Sequence, residues 1–390
     1  MHVRRYPAFD PPEYVAWKPH RREGAAYRAT LDADPARKRV IATLGRDRML
    51  ALYRGLLRNR LSDIALKRFV RQGVISKAWL GTGEEAATIG PVHALVDGLV
   101  ASGGRAVVAP MIRNSGACHE MGMPIADIFR SYMGTGDSPS CGRDGHYGDI
   151  ARGILPPISH VGDVVPVVAG IALALQLRGG RDAPGGVALT WIGDGSTKTG
   201  VAHEGLNFAA VRRLPAIFII QNNQVALGTR LEQHHLAAAG SLPPGSRGSF
   251  ADWPAAYGMW GGIFDGNNVL DAYALTALAV ERCARGEGPA LLVAETFRMG
   301  GHATHDEAEA RRSFSAAMFE QWGRRDPVGL YESYLAGTGV SAATLGEIER
   351  AVEQEIEAAE STALASRAEK MPSPESAVGN VYHGDAQATR

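Results

Sequence analysis

Apolar residues in this chain fall into two patterns: short unbroken runs, and stretches in which they recur every three or four positions. Residues 187–192 (VALTWI) form one run, which stops at Gly193-Asp194-Gly195; residues 215–220 form another, which stops at Gln221-Asn222-Asn223. Such runs, bounded by turn residues, predict strands buried on both faces. Between them, residues 202–213 place Leu206, Ala209, Ala210 and Val211 near helical spacing. Parallel strands need a crossover of this kind, so the unit reads strand, helix, parallel strand. The alternation continues to about residue 300, which predicts an α/β fold with a doubly wound parallel sheet. A helix is expected over 47–72, from Met49, Leu52, Leu56, Leu61, Ile64 and Phe69, with a break at Gly73. Beyond Asp326-Pro327 the pattern is helical, and Leu345, Ile348, Val352 and Ile356 make an apolar stripe expected to dock on the chain's own core until Met371-Pro372-Ser373-Pro374 ends it. Residues 1–45 are rich in Pro, Arg and Asp with weak periodicity, so an extended or disordered arm is expected there. The division is an arm at 1–45, an α/β domain at 46–330, and a helical extension with a polar tail at 331–390.

Charge changes the picture by exclusion. Lys plus Arg and Asp plus Glu number 41 each, so no global field favours nucleic acid or an anionic membrane. Any anionic ligand must be held by local geometry. No apolar run reaches membrane-spanning length, and the start MHVRR leads into YPAFDPPEY rather than an apolar signal core. Cys118, Cys141 and Cys283 form neither a CxxC pair nor a disulfide framework. A soluble, cytoplasmic protein is the expectation.

In open parallel sheets, ligands bind outside the carboxyl ends of the strands, where Asp194 and Asn223 both fall. A carboxylate, a side-chain amide and a backbone carbonyl are hard oxygen donors of the sort Mg²⁺ takes when phosphates fill its remaining positions. Backbone N–H groups around Gly195 and Ser196, at an expected helix start, favour diphosphate oxygens. Residues 196–221 separate the two turns, giving GDG, 26 residues, then NN. This resembles the thiamine-diphosphate fingerprint, and the neighbouring LNFAAVRRLP resembles the alpha subunits of 2-oxo acid dehydrogenases. The resemblance implies a transketolase-like thiamine-diphosphate-binding fold with helical N- and C-terminal extensions. It also implies Mg²⁺ held by Asp194, Asn223 and the Val225 carbonyl, and a diphosphate against Gly193, Gly195 and Ser196.

Other segments extend the resemblance over roughly residues 47–330. Residues 295–306 (ETFRMGGHATHD) look like the family's ETYR-x-x-x-H-S-x-S-D loop, which puts His302 at its active-site histidine, a group able to contact cofactor or intermediate near neutral pH. Arg298 and Asp306 are expected to pin that loop. Ala303 and His305 stand where serines are usual, so control by phosphorylation at 303 is excluded. Pro110-Met111-Ile112-Arg113 resembles P-x-Y-R, whose arginine holds the diphosphate, and a guanidinium suits bidentate phosphate contact. Ile112, Asn114 and Ser115 depart from the family there. Ser159-His160-Val161-Gly162 resembles the segment passing the cofactor's rings, with Ser159 and Val161 at the touching positions. His146 lies in a loop like the family's GRGG-x-x-H stretch.

The resemblance therefore implies an alpha subunit that decarboxylates a 2-oxo acid and passes the acyl group to a lipoyl-bearing transacylase. The family is an α2β2 heterotetramer whose activating glutamate lies on a beta subunit, so this chain alone is expected to be inactive. A carboligase, or acyloin-forming subunit, using the same cofactor is the alternative that the changes at 112, 115, 303 and 305 motivate. A dinucleotide-binding oxidoreductase fits less well, because Gly193-x-Gly195-x-x-Lys198 lacks the third glycine. The identity of the 2-oxo acid is not legible, since the acyl pocket is shared with the missing subunit.

Overall fold

The apolar runs become the centre of the molecule because a parallel strand covered on both faces has no position that tolerates water. The computed structural model describes residues 18–100, 103–180, 185–235 and 250–377. Among them are seven strands: β1 (Arg105–Ala109), β2 (Gly186–Gly193), β3 (Ala216–Asn222), β4 (Val225–Ala226), β5 (Thr229–Arg230), β6 (Trp260–Asp265) and β7 (Ala290–Glu295). Five form one sheet, in the order β1-β2-β3-β7-β6. Every pairing in it is parallel, with Ile192 beside Ile220 and Gly193 beside Gln221. The carboxyl ends of all five strands consequently open on one edge. β4 and β5 are a short antiparallel ribbon just beyond β3.

Four strands of the sheet, β1, β2, β3 and β7, feed two cores. Val187, Leu189 and Trp191 join Ile217 and Ile219 in a layer shared with the helices Arg46–Arg71, Glu85–Val100 and Val269–Ala284. Ala188, Ile192, Phe218 and Ile220 join the helices Val164–Gly179 and Gly200–Arg212 on the other side. The doubly wound α/β architecture expected from the sequence is what forms. Trp191, fully buried, settles its one polar atom by donating from Nε1 to the Ala87 carbonyl at 2.8 Å.

The long first helix of the domain ends at Gln72, and Gly73 follows with φ 71°, the left-handed conformation that glycine adopts without a Cβ penalty. The C-terminal helix Ala342–Glu369 buries Leu345, Ile348, Val352 and Ile356 in the same core, so its stripe docks on its own chain. Arg58 helps to fasten it, donating to Glu355 as well as to Glu120.

The N-terminal extension is helical, as the implied fold has it, which corrects the extended arm that weak periodicity suggested. Residues 1–17 lie outside the described residues, but Arg21–Ala33 and Pro35–Ala42 are helices, not extended chain. Only Tyr27, Leu31 and Ile41 are buried in them, too sparse a set to show as a period in the sequence. Asp34 explains the corner: its carboxylate accepts from the Ala36 and Arg37 N–H groups, and Pro35 occupies the first helical position. Among the described residues, no helix is long and apolar enough to cross a membrane.

Candidate functional site

The two turns that end β2 and β3 lie against each other, and glycine is what allows it. A Cβ on Gly195 would come within 2.4 Å of the Ala226 Cβ, so the β4 ribbon packs directly over the Gly193-Asp194-Gly195 turn. Gly193 has open space at that direction, its nearest neighbour being Ser196 Oγ at 3.8 Å. Asp194 is 1 % exposed, and its Oδ2 has no hydrogen-bond partner. A buried carboxylate oxygen left unsatisfied is costly and marks a place for an external partner. Asn223, also buried, turns Oδ1 toward the Val225 N–H at 3.4 Å. Asp194, Asn223 and Val225 carry oxygens of the chemistry a hard divalent cation takes. The helix after Gly195 starts later than expected: Ser196–Lys198 is a single 3₁₀ turn, and the α-helix begins at Gly200.

The paired asparagines turn their amide nitrogens to different carboxylates, and Asn222 Oδ1 is buried without a hydrogen-bond partner. Asn222 donates from Nδ2 to both Glu295 oxygens, at 3.1 and 2.9 Å, tying the tip of β3 to the tip of β7. Asn223 Nδ2 instead donates to Glu84 Oε1 at 3.0 Å, and Gln221 Nε2 donates to the same oxygen at 2.5 Å. Asn114 holds Gln221 from behind, donating to its Oε1 at 2.9 Å. Glu84, 1 % exposed, thus fixes the amide that presents Asn223, and Arg113 stands 3.5 Å from its other oxygen. Sequence reasoning gave no role to Glu84 or Gln221, and two adjacent glutamates carry no signal of which one faces the site.

Arg113 and His302, 189 residues apart in sequence, meet here. Arg113 donates to His302 Nδ1 at 3.2 Å, to the His302 carbonyl at 3.3 Å and to the Leu80 carbonyl at 3.2 Å. Since a guanidinium can only donate, Nδ1 is the acceptor and the imidazole proton is on Nε2. Burial, together with the cations Arg113 and Arg298, pushes the His302 pKa down to about 4. His302 is therefore neutral at pH 7, a donor through Nε2. Arg298 is also lowered, to about 10, chiefly by burial and then by Arg113. It pins its loop through backbone carbonyls, Gly300 at 2.9 Å and Leu227 at 2.8 Å, while Asp306 accepts from the Ala303 N–H at 3.1 Å.

The lowered His302 value has a measurable consequence. As pH falls, the unfolded histidine takes its proton near 6.5 and the folded one only near 4. The unfolded state binds more protons in that window, so the stability this group supports is full above about pH 6.5 and is lost toward pH 4. A His302→Gln variant should show a shallower fall of stability across that window than the parent. Histidine NMR should find the His302 resonance unprotonated at pH 5.5; titration near 6.5 would contradict the assigned environment.

Ser159 and Val161 sit apart from this cluster, on an exposed segment. A Cβ on Gly162 would come within 2.1 Å of Thr199 Oγ1, so the segment lies against the chain that follows the Asp194 turn. Ser159 Oγ is 2.9 Å from His146 Nε2, and His146 Nδ1 is 2.7 Å from Asp144 Oδ1. Val161 is 62 % exposed. One further residue was not anticipated: His234 brings Nε2 to 3.3 Å from Asp194 Oδ2.

Comparison with known proteins gives the family of the chain. The dehydrogenase E1 component family matches residues 53–375. The 2-oxoisovalerate dehydrogenase alpha subunit of Bacillus subtilis (strain 168) is 31% identical over 336 residues, covering 85% of this chain and 94% of that protein. The 3-methyl-2-oxobutanoate dehydrogenase alpha subunit of Mycobacterium tuberculosis (strain ATCC 25618 / H37Rv) is 30% identical over 314 residues, 80% of this chain and 77% of that one. The alpha subunit of acetoin:2,6-dichlorophenolindophenol oxidoreductase of B. subtilis (strain 168) is 29% identical over 325 residues, 83% of this chain and 90% of its own length. With more than half of its length matched, and relatives of this kind covered almost end to end, the chain belongs to the dehydrogenase E1 component family, on its alpha-subunit side.

Proposed function

We propose that this chain is the alpha subunit of a thiamine-diphosphate- and Mg²⁺-dependent 2-oxo acid dehydrogenase, and that it holds the metal and diphosphate end of the cofactor. The observation that carries the reading is the buried Asp194 Oδ2, without a hydrogen bond, on the carboxyl edge of the sheet, beside the Asn223–Val225 turn. Asp194, Asn223 and the Val225 carbonyl would hold the ion. Gly193, Gly195 and Ser196 would line the diphosphate, with Arg113 and the Nε2–H of His302 donating to it; Ser159 and Val161 would border the rings. Thiamine diphosphate, when bound, supplies the nucleophilic carbon and the electron sink that decarboxylation needs. The protein's part is to bind, orient and keep water out. Neutral His302 can donate a proton-bearing nitrogen to an anionic oxygen without itself carrying charge.

The exposure of Val161 agrees with a pocket whose other wall is a separate beta subunit in an α2β2 heterotetramer. A lipoyl-bearing transacylase would be the acyl acceptor. Two of the three cysteines, Cys118 and Cys283, are buried free thiols, as suits a cytoplasmic protein. The test is co-expression with the cognate beta subunit, followed by assay of a panel of linear and branched 2-oxo acids with a lipoyl domain present. Decarboxylation with acylation of the lipoyl domain is expected from the complex, and none from the chain alone. Acyloin products without lipoyl acylation would favour the carboligase reading; vigorous turnover by the isolated chain would defeat the two-subunit one.

A further inference from the structure

We propose that His234 supplies an imidazole nitrogen to the divalent ion held at Asp194, so that this site is a mixed oxygen and nitrogen one. The inference rests on the reading of Asp194, Asn223 and Val225 as metal ligands, and deepens it.

His234 Nε2 lies 3.3 Å from Asp194 Oδ2, with the two side chains 13 % and 2 % exposed. The pair meets at ion-pair distance, yet neither atom takes part in a hydrogen bond, and His234 Nδ1 has no partner either. Two facing, buried polar atoms without hydrogen bonds are rare in proteins unless something else binds both. A divalent cation does so. Neighbouring corners of an octahedron with bonds of about 2.1 Å are separated by about 3.0 Å, close to the observed spacing.

The segment that carries His234 is fastened to the turn that carries Asp194. Leu231 N–H donates to the Gln224 carbonyl at 3.0 Å, which anchors the Leu231–His234 helical turn to the β3 end. The next residue, His235, stacks on Phe250 with ring centroids 4.0 Å apart and planes 10° from parallel. Lys198 Nζ, four residues after Asp194, donates to His235 Nδ1 at 2.8 Å and lies over the Phe250 and Trp253 rings. His234 is thereby aimed at Asp194 from its own backbone, through contacts that do not involve the ion.

An imidazole ligand changes which ion the site prefers. Mg²⁺ favours oxygen donors, whereas Mn²⁺ and Co²⁺ accept a nitrogen readily and gain affinity along the transition series. The expectation is a site that binds Co²⁺ and Mn²⁺ in preference to Mg²⁺. His234→Phe should cost about tenfold in Co²⁺ affinity while changing Mg²⁺ affinity by less than about threefold.

The direct test is pulsed electron paramagnetic resonance of the full-length chain loaded with Mn²⁺ and inorganic pyrophosphate, a ligand that contains no nitrogen. A ¹⁴N modulation of the strength given by bound imidazole is expected, and its loss in His234→Phe. Mn²⁺ bound in an Asp194-dependent manner without that modulation, or with one that survives in His234→Phe, would overturn the role of His234. Mn²⁺ binding that is indifferent to Asp194→Ala would instead overturn the metal-site reading itself. The spectrum of the parent protein decides the matter even where a variant folds poorly.

Discussion

Asp194→Ala is expected to weaken binding of magnesium thiamine diphosphate by about 2–5 kcal/mol, roughly thirtyfold to several thousandfold, because it removes the one charged donor from a buried site. Isothermal titration with the metal and cofactor measures this, and an unchanged dissociation constant would sink the assignment. The ligand-free protein should respond in the opposite direction. Asp194 is buried with an unsatisfied oxygen, so its removal relieves a desolvation cost, and thermal melting without ligand should hold or rise. Lower ligand-free stability together with weaker binding would indicate general damage to the turn. Asn222→Ala supplies the contrast: its Nδ2 ties the tip of β3 to Glu295, so its effect on the melt should exceed its effect on affinity.

The second large effect concerns stability. Arg60 is 1 % exposed and pairs with Glu85, itself fully buried, and with Asp326 at 2.9 Å. Glu85 also accepts from the Gly83 N–H at 2.9 Å, so the pair sets the start of the helix Glu85–Val100, one residue from Glu84. Truncating one partner of a buried ion pair leaves a charge without compensation, so Arg60→Leu should cost about 3–5 kcal/mol. The double variant Arg60→Leu/Glu85→Leu should lose clearly less, since the fully buried Glu85 charge is removed and only the more exposed Asp326 loses its arginine. Denaturant midpoints of the two variants and the parent are the measurement. A double variant as unstable as the single would show that packing, rather than charge, dominates here. Because Glu84 holds Asn223, Arg60→Leu should also weaken cofactor binding although Arg60 touches nothing in the site.

The parts of this structure that were legible in the sequence are those where one physical rule acts alone. β2, its crossover helix and β3 read cleanly because a strand covered on both faces must be apolar throughout. The position of Asp194 and Asn223 followed, since a parallel sheet opens its carboxyl ends on one edge. What stayed hidden depended on distant partners. Gly195 reads as making room for a ligand, but what its missing Cβ admits is Ala226. Glu84 and Glu85 look alike in the chain, yet one turns to Asn223 and Gln221 and the other to Arg60. His234 stands in a polar stretch without period, and only the Lys198, His235 and Phe250 contacts around it give it a direction. The helices Arg21–Ala33 and Pro35–Ala42 leave little period in the sequence because three buried side chains hold them.

The hydrogen bonds between Arg113 and His302 also say something about the order of events as the chain folds. Their 189-residue separation means that a large loop must close before either bond forms, and such contacts come late because the entropy of closure precedes any gain. A chain that stops before residue 302 carries the Asp194 and Asn223 turns in its sequence and lacks the arginine–histidine corner. Competence to grip an anion at this corner thus requires that loop to have closed, which makes a phosphate-mimicking probe a reporter of its closure.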